Sequence, residues 1–174
     1  PDANDRPAFK VLVADLPPGQ LVRIDGLAIL GARRMRGEIP GVSARDPSVR
    51  LGDWLFTSRV HGIHPEDGVP SDVRTEAVQN FENLSDLLDI HGFEPSDMVQ
   101  ITIFGNDSTY FEIARQACEQ VFLAVGGDPA IECVASPLAP KFKISAEMIA
   151  VKGGAPDFAE IYIDTDASAA PDGA

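Results

Sequence analysis

Glu147 lies in an apolar, strand-like run at residues 142–151, flanked directly by Ala146 and Met148. A carboxylate in such company is not buried without a partner or a purpose. Held beside a water molecule, it can take a proton from it. Arg59 is the next-to-last residue of a β-branched and aromatic stretch at residues 49–60. A guanidinium there could hold a carboxylate in a fixed, two-pronged orientation. His61 follows two residues later and has the ordinary pKa of an acid–base group near neutrality. With His64, Glu66 and Asp67 it forms H-x-x-H-P-E-D. Two imidazoles and two carboxylates could ligate zinc, but the spacing is unspecific, and we read a polar loop with no metal. Cys133 sits in an apolar segment with no histidine beside it, which disfavours a thiolate. We read it as a packing residue whose backbone lines the pocket, and Tyr110 and Phe104 as core or pocket wall.

Five arginines (Arg33, Arg34, Arg36, Arg45 and Arg50) face only Glu38 and Asp46 across residues 31–50. In a chain of net charge −13 this basic stretch could draw in a small anion. Ion pairing at a subunit interface is the plainer alternative. No G-x-x-x-x-G-K-S/T, G-x-G-x-x-G or G-x-S-x-G occurs, so neither a nucleotide cofactor nor a nucleophile elbow is expected. The expected cofactor is none.

The elements that must position these residues follow from apolar spacing. Residues 1–42 form an extension with two β-like runs, 9–16 and 20–30, separated by Pro17-Pro18-Gly19. Residues 49–60 read as a hairpin or bulged pair about Gly52-Asp53. Val73, Ala77, Phe81, Leu84 and Leu88 share one face of a helix over 71–90, with Gly92 as its stop. Residues 98–104 alternate as a strand, and Gly105-Asn106-Asp107 turns into a helix over 108–123 with Tyr110, Ala114, Ala117 and Val121 in one stripe. Strands at 130–136 and 142–151 close the core domain, 43–152. Residues 153–174 read as a largely flexible tail with a short strand at 158–163. The order β-β-α-β-α-β-β, after an extra β pair, predicts an α+β domain with two helices on one face of a mixed sheet. Self-association would then cover the other face.

Composition narrows the function. Of 174 residues, 14 are Lys or Arg and 27 Asp or Glu, so phosphate backbones and anionic membranes are poor partners. No apolar run approaches the roughly 18 residues of a membrane span. The start, PDANDRPAFK, does not read as a secretory signal. Two cysteines in apolar segments fit buried thiols, so a cytoplasmic setting is expected.

Three segments are distinctive: G-D-x-L-F-x-S at 52–58, A-x-x-N-x-E-N-L at 77–84, and C-V…K-x-x-I-x-x-E-x-I-A-V ending at Val151. In order and spacing they resemble the Rid/YjgF superfamily, the reactive-intermediate imine deaminases, over residues 43–152. The resemblance implies a chorismate-mutase-like subunit in a barrel-like homotrimer with ligand clefts between neighbours. It also implies an Arg ahead of the x-C-V strand that pairs with a substrate carboxylate. A last-strand Glu would order the water that expels ammonia. Cys133, Val134, Ser58 and Glu147 match the pattern, whereas Ile131 stands at the arginine position and Arg59 at a glycine position. Arg45 aligns with a tyrosine of the family's N-terminal loop. The expectation is a cofactor-free deaminase acting on an imine, enamine or related C–N bond of a small carboxylate-bearing metabolite, 2-aminomuconate-like or 2-imino-acid-like. Glu147 and His61 would be catalytic, and Arg59, Arg45, Ser58, Cys133, Phe104, Ile131 and Glu132 would bind substrate. The alternatives are a non-catalytic ligand-binding or regulatory trimer, or another hydrolase or lyase reaction on the same fold. The ribonuclease activity attached to the family's name fits poorly with so acidic a chain.

Overall fold

Arg34–Gly37 (β1) runs antiparallel to Ser48–Leu51 (β2), with Gly37 opposite Ser48. Sequence reading saw only a basic stretch here, because Arg-Met-Arg-Gly has no apolar alternation and Met35 is itself half exposed. The structure is a computed structural model that describes Pro18 and residues 31–42 and 47–154. The expected strands at 9–16, 20–30 and 158–163, the tail from residue 155 onward and Arg45 lie outside the described residues.

Gly52 takes φ +61, the left-handed conformation that glycine adopts without strain, and folds β2 back onto Trp54–Thr57 (β3). Asp72 then caps Val73–His91 (α1) by accepting from Thr75 N at 2.9 Å. Gly92, at φ +69, ends the helix where sequence reading expected. Met98–Gly105 (β4) leads into Tyr110–Phe122 (α2), followed by Ala130–Ala135 (β5) and Ile144–Val151 (β6). The sheet order is β1-β2-β3-β6-β4-β5, with only β4 and β5 parallel. The two helices pack on one face of this mixed sheet, so the α+β layout is as expected.

The core lies between helices and sheet. Ala77, Phe81 and Leu84 of the predicted α1 face are fully buried, as are Ala114 and Ala117 of the predicted α2 stripe. They meet Leu55, Ile101, Ile103, Ala146 and Ala150 from the sheet. Each fully buried Leu or Phe here contributes about 1.5–3 kcal/mol of transfer free energy. Side chains alternate along a strand, so this packing commits the intervening residues to the second face of the sheet.

Candidate functional site

A polar stripe on α1 sets the geometry. Glu76, Asn80 and Asn83, spaced by four and three residues, are all at most 1% exposed. Asn80 Nδ2 donates to Val60 O at 2.7 Å, and Asn83 Nδ2 donates to His61 O at 2.9 Å and Ile63 O at 3.1 Å. Glu76 Oε1 accepts from Lys143 N at 2.8 Å and Ile144 N at 3.2 Å, fixing the entry into β6. Gly62 lies so close to the Glu76 carbonyl that a Cβ would collide with it. Val60 and Ala146 exchange backbone bonds at 2.7 and 3.0 Å. The segment that leaves β3 is thus held between α1 and β6.

That pairing makes a two-row grid on the second face. Continuing the Val60–Ala146 register sets Arg59 across from Glu147 and His61 across from Ser145. Glu147 pairs with Thr102, and Thr102 with Glu132. Ser145 pairs with Phe104, and Phe104 with Val134. One row therefore reads Arg59–Glu147–Thr102–Glu132 and the next His61–Ser145–Phe104–Val134. A hollow of about 230 Å³ lies on this grid, lined among others by Gln100, Thr102, Phe104, Glu132 and Glu147. Gln100 Nε2 donates to Thr102 Oγ1 at 3.3 Å and to Glu132 Oε2 at 3.5 Å.

The electrostatics divide the site. The Arg59 guanidinium sits 3.9 Å over the Phe104 ring. Its pKa is lowered by burial, against the opposing pull of Glu147. Its Nε and Nη2 are shielded from water and have no hydrogen-bond acceptor among the described residues. His61 stacks on Phe142 with ring centroids 3.9 Å apart. Burial, then the Arg59 charge, hold its pKa down at about 4, so the imidazole is neutral at pH 7. One end of the grid thus carries a cation and a neutral imidazole. The carboxylates of Glu147 and Glu132 extend away from that end.

Of the residues expected in the site, Glu147, Arg59, His61, Phe104 and Glu132 share this face. Ile131 and Cys133 point the other way and pack against the helix-side core; Cys133 is partly buried, consistent with a packing role. Ser58 is half buried next to Arg59, and its amide bonds Pro47 O at 2.7 Å. The H-x-x-H-P-E-D loop separates its histidines. His64 Nδ1 accepts from Glu66 N at 3.3 Å and Asp67 N at 3.2 Å, which turns the loop back on itself. Among the described residues no three potential metal ligands cluster. Sequence reasoning missed Thr102, Gln100, Ser145 and the α1 stripe. Ser145 was within reach, since it stands two residues from Glu147 in one strand.

Among the described residues, a six-stranded mixed sheet with two helices on one face and a guanidinium–carboxylate grid on the other defines a small α+β protein. The chain belongs to the Rid/YjgF family, for the family model described as endoribonuclease L-PSP matches residues 43–152. It is similar to the 2-iminobutanoate/2-iminopropanoate deaminase of Escherichia coli, 33% identical over 107 residues that cover 60% of this chain and 84% of that one. Among solved structures it resembles Escherichia coli TdcF with bound serine, at TM-score 0.59 and 28% identity, covering 64% of this chain and 91% of that one. It also resembles the YjgF gene product of Escherichia coli, at TM-score 0.60 and 29% identity, covering 65% and 92%. Among the described residues no helix is long and apolar enough to cross a membrane.

Proposed function

We propose that this chain hydrolyses the C=N bond of a small carboxylate-bearing imine, or of an enamine that tautomerises to one, without a cofactor. The observation that carries this reading is the Arg59 guanidinium, seated on Phe104 with two shielded nitrogens, Nε and Nη2, that find no acceptor among the described residues. A buried donor without an acceptor costs about 1–3 kcal/mol, so the fold holds this cation in readiness for an incoming anion. Where the family resemblance expects arginine at Ile131 of β5, Arg59 supplies the carboxylate anchor from the exit of β3, on the far side of β6 and β4. The deaminase named among the relatives acts on 2-imino acids, which supports this substrate class.

Glu147 stands across from that anchor and takes the part of water activator. It accepts one proton from water as the oxygen bonds to the imine carbon, and the C=N π pair moves to nitrogen. The proton returns to nitrogen to complete the carbinolamine; its hydroxyl proton then passes by way of Glu147 to nitrogen, the C–N bond breaks, the C=O bond forms and ammonia leaves. Imines are reactive, so orientation supplies much of the acceleration. Neutral His61 would relay a proton, taking it up at one ring nitrogen as it releases another from the second, so that the ring gains no net charge. We further infer a homotrimer in the cytoplasm, with clefts between neighbours that complete this face. Kinetics of Arg59→Ala test the reading. Loss of a shielded charged anchor costs at least about 2 kcal/mol, so kcat/KM falls roughly thirtyfold or more. An unchanged kcat/KM overturns Arg59 as anchor. Ligand binding with no turnover in the wild type would instead favour a binding protein, the reading that Ile131 at the arginine position suggests.

A further inference from the structure

The charged end of the grid holds a second cation that this mechanism does not use. Lys141, in the loop ahead of β6, places Nζ 4.8 Å from the centroid of the Phe142 ring on which His61 stacks. Arg59 occupies the comparable seat on Phe104. Two aromatic rings thus carry two cations, and the charged groups that act on His61 are these two, Arg59 on its own segment and Lys141 before β6. Among the described residues neither closes an ion pair, whereas neighbouring Lys143 pairs with Glu76 at 3.5 Å and Lys152 with Asp97 at 2.7 Å. Buried polar atoms that find no hydrogen-bond partner among the described residues gather at the same end: Arg59 Nε and Nη2, His61 Nδ1 and Ser145 Oγ. A fold satisfies nearly all of its buried polar groups, so several orphans in one place mark a seat for a ligand.

We propose that Arg59 and Lys141 seat the two carboxylates of a single substrate, which makes the preferred ligand a small dicarboxylate. This rests on the reading of Arg59 as a carboxylate anchor. One cation would suffice for a monocarboxylic imine. Two cations on separate rings beside an uncharged imidazole, in a chain of net −13, make a local well for double negative charge. A single phosphate fits less well, because the cations stand on different rings and the sequence has no glycine-rich phosphate loop.

Unreactive probes test this without turnover. Calorimetry would compare succinate, acetate and inorganic phosphate on the full chain and on Lys141→Ala, with His61 followed by NMR. Succinate is expected to bind at least about tenfold more tightly than acetate to the wild type, and Lys141→Ala to erase that preference. Bound succinate should also raise the His61 pKa by about one unit or more, as nearby negative charge does. Equal binding of acetate and succinate, tighter binding of phosphate, or an unchanged preference in Lys141→Ala would overturn the proposal. A chain that selects succinate yet releases no ammonia overturns the hydrolase reading alone. One that releases ammonia from a monocarboxylic imine and ignores succinate overturns the dicarboxylate proposal alone.

Discussion

Replacing Glu76 tests whether α1 holds the site in place. Its carboxylate is fully buried and accepts from Lys143 N at 2.8 Å and Ile144 N at 3.2 Å, with Lys143 Nζ at 3.5 Å. Alanine strands both amides, at about 1–3 kcal/mol each, and water entering the vacated space recovers part of that. The expected cost of Glu76→Ala is therefore about 3 kcal/mol. Glu76→Gln keeps an acceptor oxygen for the amides and loses only the charge assistance, roughly 1 kcal/mol. Urea unfolding at pH 7 with an unchanged m value reads both numbers directly. Glu76→Ala within about 0.5 kcal/mol of wild type, or Glu76→Gln as damaging as alanine, would refute the clamp; changes of that size are ordinary for surface sites.

Two further predictions concern acid. The His61 pKa is held down at about 4, mainly by burial, so between there and about 6.5 the unfolded chain binds a proton that the native state refuses. Its contribution is full above about pH 6.5 and declines as the solution is acidified to about 4. The ring should titrate near pH 4 by NMR, and His61→Gln should flatten the stability profile across that window; titration near 6.5 would contradict its burial. Asp97 runs against its own burial, which alone would raise its pKa. Lys152 Nζ at 2.7 Å, Glu94 N at 2.8 Å and Gly153 N at 2.9 Å outweigh that and hold the carboxyl below the usual range. That stability is present above about pH 4 and lost as pH falls through the lowered value, so Asp97→Asn should weaken the protein at pH 7 and blunt its acid sensitivity in chemical denaturation.

How much of this was legible in the sequence depends on the range of the forces involved. The α1 face came from apolar steps of three and four, and its end from Gly92, because both are local signals. Arg34–Gly37 escaped notice because an edge strand is held by its partner's backbone, here Ser48–Leu51, and needs no apolar rhythm. Glu76 and Glu82 lie on one helix and look alike in sequence. One is fully buried and the other exposed, a difference set by the amides of Lys143 and Ile144 at the start of β6, 67 and 68 residues away. Glu147, Arg59 and His61 were found through residue type and family resemblance. Their arrangement was not, since the Val60–Ala146 pairing that aligns them is long-range. Ile131 and Cys133 were grouped with them by alignment, and strand alternation carries both to the helix side.

Ammonia release from freshly generated 2-aminoacrylate, measured for wild type and Glu147→Ala under the same conditions, tests the central claim most directly. The account predicts release above the uncatalysed rate for wild type and a loss of about a hundredfold or more in the variant, the range expected when a positioned acid–base group is removed. Wild-type turnover that survives intact in Glu147→Ala would contradict it.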